Sequence, residues 1–136
     1  MVDMKSVAAV FPGQGSQTVG MGKDLAEQWP AAAAAFHAVD EGLDADLSRL
    51  CWEGPEEELR LTENTQPALL AHSCAAWAVL QDAGLEVAAV AGHSLGEYSA
   101  VVATGGLSVP DAARTVRLRG RLMQEAVPVG EGAMAA

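Results

Sequence analysis

Two short, unbroken apolar runs stand among longer stretches in which apolar and polar residues recur at helical spacing. The runs are Val7-Ala8-Ala9-Val10-Phe11 and Val87-Ala88-Ala89-Val90-Ala91. Each has the length of a buried strand and each ends at turn-forming residues. Between them the pattern predicts a short helix from Gly22 to about Trp29, and a second that Pro30 opens and that runs through an alanine tract to about Glu41. A third helix is predicted over Asp44 to Cys51. Gly54-Pro55 then starts a turn of helix rich in Glu56, Glu57 and Glu58, where acidic side chains favour the positive helix end. Thr65 reads as the N-cap of a long apolar helix from Gln66 to about Asp82, ended by Gly84. After the second strand, a helix over residues 97–103 stops at Gly105-Gly106. Ser108, followed by Pro110 and Asp111, caps a last helix that reaches about Val127 before Pro128.

Strands separated by long helical stretches pair in parallel, with helices on both faces of the sheet. Two strands alone make a poor sheet of that kind. The apolar run Gly132-Ala133-Met134-Ala135-Ala136 reads as a further strand just beginning. At 136 residues the chain therefore reads as the front part of a larger α/β fold.

The second strand leads into Gly92-His93-Ser94-Leu95-Gly96 and then straight into a helix. Strand, Gly-x-Ser-x-Gly and helix together form a nucleophile elbow. The turn is too tight for side chains at its flanks, so both flanking positions are glycine. Such a turn lifts the Ser94 hydroxyl clear of the sheet, beside the free N–H of Leu95 and the positive end of the helix.

Composition narrows the chemistry. Half of the residues are apolar, enough for a core, and the formal charge of −10 excludes general nucleic-acid binding. Four of the eight Lys and Arg residues, Arg114, Arg117, Arg119 and Arg121, crowd near the C-terminus, where an anionic ligand could bind. Cys51 and Cys74 lack metal-ligand spacing and read as reduced thiols. No stretch has the length or uninterrupted apolar character of a signal peptide or membrane span, so the reading is cytoplasmic with no membrane partner.

An activated serine needs a base. His93 flanks the serine, and side chains flanking an elbow serine diverge from it. His37 and His72 lie in helices whose neighbours suggest packing or solvation, and no histidine follows Ser94. The loop Pro12-Gly13-Gln14-Gly15-Ser16-Gln17 is either an ordinary glycine-rich turn or a second oxyanion donor; the Lys of a phosphate-binding P-loop is missing. In the last helix, about 100° per residue puts Ala112, Val116, Arg119, Met123 and Ala126 on one stripe, beside Leu118 and Leu122. Arg114, Arg117 and Arg121 fall on the opposite, solvated side. Arg119 among apolar neighbours either pairs with a carboxylate of the protein or snorkels to water, or it forks onto a substrate carboxylate.

Taken together, Phe11-Pro12-Gly13-Gln14-Gly15-Ser16-Gln17, Thr65-Gln66-Pro67-Ala68, Gly92-His93-Ser94-Leu95-Gly96-Glu97-Tyr98-Ser99 and Arg119-Gly120-Arg121-Leu122-Met123-Gln124 resemble the malonyl-CoA:acyl carrier protein transacylases of fatty acid synthesis. They also resemble the related acyltransferase domains of polyketide synthases. The stretches occur in the family's order and span nearly the whole chain. The resemblance implies an α/β-hydrolase-like acyltransferase fold, with residues 1–136 as the N-terminal part of its large subdomain, stopping before a ferredoxin-like small subdomain. It implies ping-pong transfer of malonyl from malonyl-CoA to the phosphopantetheine thiol of acyl carrier protein. Position by position it makes Ser94 the nucleophile and the backbone N–H groups of Gln14 and Leu95 the oxyanion hole. It makes Arg119 the clamp for the malonyl carboxylate and Gln66 a substrate-binding wall residue. An acetyl group would leave that arginine unpaired. No cofactor and no metal are implied, since malonyl-CoA is a substrate. The family's catalytic histidine lies beyond the insertion, outside this chain. Three readings follow: a transacylase represented by a part of its sequence, a serine hydrolase, and a fragment that binds without turnover. Leu95 after the serine favours a stand-alone fatty-acid enzyme over a polyketide synthase module.

Overall fold

A computed structural model describes residues 7–132 of the chain. The elements are β1 (Ala8–Phe11), α1 (Lys23–Gln28), α2 (Pro30–Leu43), α3 (Leu47–Glu53), α4 (Glu56–Leu59), α5 (Thr62–Asp82), β2 (Ala89–Gly92), α6 (Gly96–Ala103) and α7 (Val109–Ala126). The two strands pair in parallel, with Ala8 opposite Ala89 and Phe11 opposite Gly92. Alternation along the strands points Ala9, Phe11 and Val90 to one face, where Trp77 of α5 and Ala100 and Ala103 of α6 cover them. Phe11 and Trp77 meet edge to face, their ring centroids 6.1 Å apart. The expectation of helices on both faces is met on this one face among the described residues. On the other, Val10 is 73% exposed. The strand expected over the last five residues falls, from Ala133 on, outside the described residues.

The main core lies among the helices. α5 buries Thr65 to Ala71, Ser73 to Ala75 and Trp77, so it is apolar nearly all round, as a central helix must be. α2 contributes Ala32, Ala35, Phe36 and Val39, and α7 contributes Ala112, Ala113 and Val116. Two glycines set how closely these helices approach. A Cβ on Gly42 of α2 would lie 2.7 Å from the backbone of Pro110, and one on Gly120 of α7 would lie 2.6 Å from the Thr62 carbonyl oxygen.

Several boundaries differ from the sequence reading, each for a local reason. α5 begins at Thr62, not after Thr65. Thr65 is buried, and its hydroxyl donates to the Leu59 carbonyl at 2.5 Å, tying α5 to the turn of α4. α3 begins at Leu47, because Asp44 adopts a left-handed conformation that ends α2. Asp46 then caps α3, its carboxylate accepting from Arg49 N at 3.3 Å. Ser108 caps α7 as expected, accepting from Asp111 N at 3.2 Å.

The inward stripe of α7 is centred differently from the helical-wheel reading. Ala112, Ala113, Val116 and Gly120 face the core, whereas Leu118 and Leu122 are 54% and 55% exposed and Ala126 is exposed. Arg119 and Met123 sit half-buried at the edge of that stripe. Arg117 leaves the solvated face expected for it. It is half-buried and donates to Asn64 Oδ1 at 2.9 Å, and burial lowers its pKa.

Candidate active site

The turn from β2 into α6 has the backbone of a nucleophile elbow. Ser94 has φ 54°, a left-handed conformation unusual for a residue with a side chain. A Cβ on Gly92 would fall 2.0 Å from the Gly96 carbonyl group, and one on Gly96 would fall 2.2 Å from the Phe11 carbonyl oxygen. Only hydrogens fit at either place. His93 N donates to Phe11 O at 3.1 Å, extending the sheet pairing into the turn. Leu95 drives its side chain fully into the core, which anchors the elbow from below and leaves Ser94 exposed above it.

The loop after β1 lies against this turn. Gly13 is buried beneath His93, with space for a Cβ closed by the His93 carbonyl oxygen at 2.7 Å and Nδ1 at 3.0 Å. Ser16 Oγ donates to Gly13 O at 3.1 Å, and Gly15 N donates to Gln17 Oε1 at 2.8 Å. The Gln14 side chain reaches Thr62 Oγ1 of α5 at 3.3 Å. Among the described residues, neither Gln14 N nor Leu95 N donates to a protein acceptor, so both amides are free for a ligand oxygen.

The arginine meets the serine directly. Arg119 Nη2 donates to Ser94 Oγ at 3.1 Å, and Nη1 donates to Gln66 Oε1 at 2.7 Å. Gln66 has no exposure, and its Nε2 donates to Met123 Sδ at 3.2 Å. The guanidinium carbon also lies 5.7 Å from the centre of the Tyr98 ring, within cation–π range. Among the described residues Arg119 faces no carboxylate, while Arg114 pairs with Asp111 at 2.5 Å and Arg121 with Glu63 at 3.8 Å. Arg119 is thus a fixed cation beside a hydroxyl, with no anion among the described residues to neutralise it. A groove of 690 Å³ starts at Gln14 and Met123 and continues along Arg60, Thr62 and Val127.

Thus Ser94, Arg119 and Gln66 come together, with the Gln14 loop packed against the elbow. The histidines do not join them. His93 is exposed beside the loop. His37 pairs with Glu41 at 3.5 Å on the outer face of α2. His72 lines a separate apolar cavity of 490 Å³ between β1 and α5. Burial lowers the pKa of His72, partly countered by Asp24. Tyr98, Thr62 and Met123 are contacts that sequence reasoning assigned no role. Tyr98 and Met123 lay inside the motif stretches, so the signal was there in position though not in residue type.

A parallel strand, a serine in a left-handed turn and a free amide at the start of the following helix are the parts of a nucleophile elbow. The chain belongs to the acyl transferase domain family, whose profile matches residues 9–136. It is 57% identical over 133 residues to the malonyl CoA-acyl carrier protein transacylase of Bacillus subtilis strain 168, covering 98% of this chain and 42% of that protein. An acyl carrier protein S-malonyltransferase from Vibrio cholerae superposes with a TM-score of 0.86 at 55% identity, over 90% of this chain and 40% of the other. A malonyl-transacylase solved in complex with a type II polyketide acyl-carrier protein gives a TM-score of 0.86 at 52% identity, over 91% and 40%. The chain therefore spans about two fifths of the length of these relatives.

Proposed function

We propose that the protein to which this chain belongs moves a malonyl group from malonyl-CoA to the phosphopantetheine thiol of an acyl carrier protein, through an ester on Ser94. The observation that carries this reading is the unpaired Arg119 guanidinium held 3.1 Å from Ser94 Oγ. In the first half-reaction Oγ attacks the thioester carbonyl and its proton leaves to a base. The carbon–sulfur bond breaks, and coenzyme A departs as the thiol. In the second, the carrier thiol attacks the ester, the serine regains its proton, and malonyl leaves as a new thioester. The amides of Gln14 and Leu95 take the oxyanion of both tetrahedral intermediates. Arg119 turns from Oγ to the malonyl carboxylate, a planar donor fork meeting a planar acceptor. The reaction so written needs no metal and no cofactor.

Among the described residues no histidine side chain hydrogen-bonds Ser94 Oγ, whose partner is Arg119, so this reading draws its proton acceptor from elsewhere. By the family resemblance it belongs to the length of the relatives that this chain does not span. That same gap favours a second reading, in which the chain binds the acyl donor without turning it over. The names of the relatives support malonyl transfer to an acyl carrier protein; the family resemblance points to fatty acid synthesis, and the type II polyketide complex supports the related pathway for the same chemistry. No described helix is long and apolar enough to cross a membrane, and a cytoplasmic site of action accords with both pathways.

Intact mass of the chain after incubation with malonyl-CoA, beside a Ser94→Ala control, tests the proposal. One malonyl adduct, absent from the control, supports the acyl-enzyme. Saturable binding of malonyl-CoA without any adduct supports the second reading. Neither binding nor adduct from a folded chain removes the second reading, and no Ser94 adduct from the protein that also carries the missing base removes the first.

A further inference from the structure

Gln66 is fully buried in α5, where an amide left without partners is costly. Its orientation follows from chemistry. A guanidinium can only donate, so the amide must turn Oε1 to Arg119 Nη1, which it meets at 2.7 Å. The NH2 group then faces the other way. Among the described residues, Met123 Sδ at 3.2 Å is the acceptor that receives it. Arg119 and Met123 are one helical turn apart on α7, so they project side by side toward α5. Gly120 lies between them and lets the two helices close to backbone contact.

We propose that Met123 is a positioning residue for Arg119. Its sulfur fixes the Gln66 amide, and the fixed amide holds the guanidinium with Nη2 on Ser94 Oγ. A leucine fills the same space and accepts nothing, so the buried NH2 group would have to swing toward another acceptor and carry Oε1 away from Arg119. A glutamine offers a carbonyl oxygen at similar reach, in a half-buried place that tolerates its polarity. The inference rests on the reading of Arg119 as a carboxylate clamp only for its consequence in binding.

The two substitutions separate positioning from space-filling, because the two roles predict opposite orders. In the full 136-residue chain, hydrogen exchange of the Gln66 side-chain amide is followed by nitrogen-15 NMR, and free malonate is titrated as the probe. Met123→Leu is expected to speed that exchange and to raise the malonate Kd about tenfold, the worth of one buried hydrogen bond. Met123→Gln is expected to keep slow exchange and a Kd within about twofold of the parent, since an acceptor remains. The reverse order, with leucine silent and glutamine damaging, overturns the proposal. If the leucine variant does not fold, the glutamine variant decides: retained slow exchange supports the lock, and its loss overturns it. If amide exchange follows the expected order while malonate binds none of the three proteins, the lock stands and the carboxylate reading of Arg119 falls.

Discussion

Replacing Gly120 by alanine sets two physical effects of opposite sign against each other. Alanine is the better helix former, worth roughly 1 kcal/mol in a helix interior. If α7 were loosely packed, Gly120→Ala would stabilise the protein. Yet the added Cβ would lie 2.6 Å from the Thr62 carbonyl oxygen, 2.7 Å from Glu63 Cα and 3.0 Å from Glu63 N, all backbone atoms of α5. Ordinary contact begins near 3.4 Å, so the helices must part by about 0.8 Å, and Ala112, Ala113 and Val116 are fully buried on the same side of α7. Overpacking of this kind costs about 1–3 kcal/mol, and more where the neighbour is main chain. Against main chain the upper half of that range, about 2–3 kcal/mol, applies, so the clash wins with a net loss of about 1–2 kcal/mol. At the usual unfolding entropy per residue that lowers Tm by roughly 4–7 °C, read by calorimetry or far-ultraviolet circular dichroism. The adjacent Arg119 moves with the helix. A separation of about 0.8 Å takes Nη1 beyond hydrogen-bond reach of Gln66 Oε1, so malonate affinity should fall with Tm. An unchanged or higher Tm would show that propensity prevails and that α7 does not sit against α5 as described.

Gly96→Ala puts a Cβ 2.2 Å from the Phe11 carbonyl oxygen; it should cost 3 kcal/mol or more, about the upper end for single substitutions, and a thermal melt within 5 °C or so of the parent would contradict the elbow geometry. Arg119→Ala should reduce acylation by malonyl-CoA at least about 100-fold while sparing acetyl-CoA, since only malonyl loses a charge-assisted pair; equal losses for both donors, measured by intact mass, would remove the clamp. The lowered pKa of His72 makes the unfolded chain bind its proton first. Stability from this group is therefore complete above about 6.5, the unfolded value, and declines as pH falls from there through the folded value. Tm of His72→Gln should lose that decline relative to the parent, and parallel pH profiles would refute it. Burial pushes the thiols of Cys51 and Cys74 up to about 12, so a thiol reagent at pH 8 should label neither until the chain is denatured; prompt labelling of the native protein would show that the core opens.

The elbow was legible because its backbone dictates its residue types. A φ of 54° at Ser94 and two positions closed to any Cβ leave Gly-x-Ser-x-Gly little freedom. The strand pairing and the Ser108 cap were legible for similar reasons: apolar runs and capping residues act locally. What was not legible depended on how helices meet. Apolar count placed the inward stripe of α7 toward Leu118 and Leu122, but small residues at Ala112, Ala113 and Gly120 are what allow close approach, and they centre the buried face elsewhere. Arg117 changed sides with that shift. Thr65 looked like a cap because a hydroxyl before an apolar run usually is one, and only the turn of α4 supplies the carbonyl that it bonds instead. Gln66 carried no signal of its own in a buried helix; the resemblance alone offered it as a substrate-binding wall residue, and its contact with Arg119 was not foreseen.

The three joints that assemble the site share one construction. The Gln14 loop rests on the elbow through Gly13 against the His93 carbonyl, the elbow rests on β1 through Gly96 against the Phe11 carbonyl, and α7 rests on α5 through Gly120 against the Thr62 carbonyl. In each, the atom nearest to an added Cβ is main chain, joined at Gly13 by the His93 ring. A side-chain contact can relax by changing rotamer, whereas these cannot without moving a whole element. The relative positions of Ser94, the two free amides and Arg119 are therefore set by the fold's backbone, and only the last link, the Arg119 guanidinium itself, depends on side-chain hydrogen bonds. On the proposed reading of Arg119, that link is where acyl preference can be tuned without moving the backbone of the elbow. Substitutions at Gln66, at Tyr98, or at Met123 that remove its acceptor should shift the balance between acyl donors with modest changes in Tm, while substitutions at the three glycines should lower Tm and all acylation together.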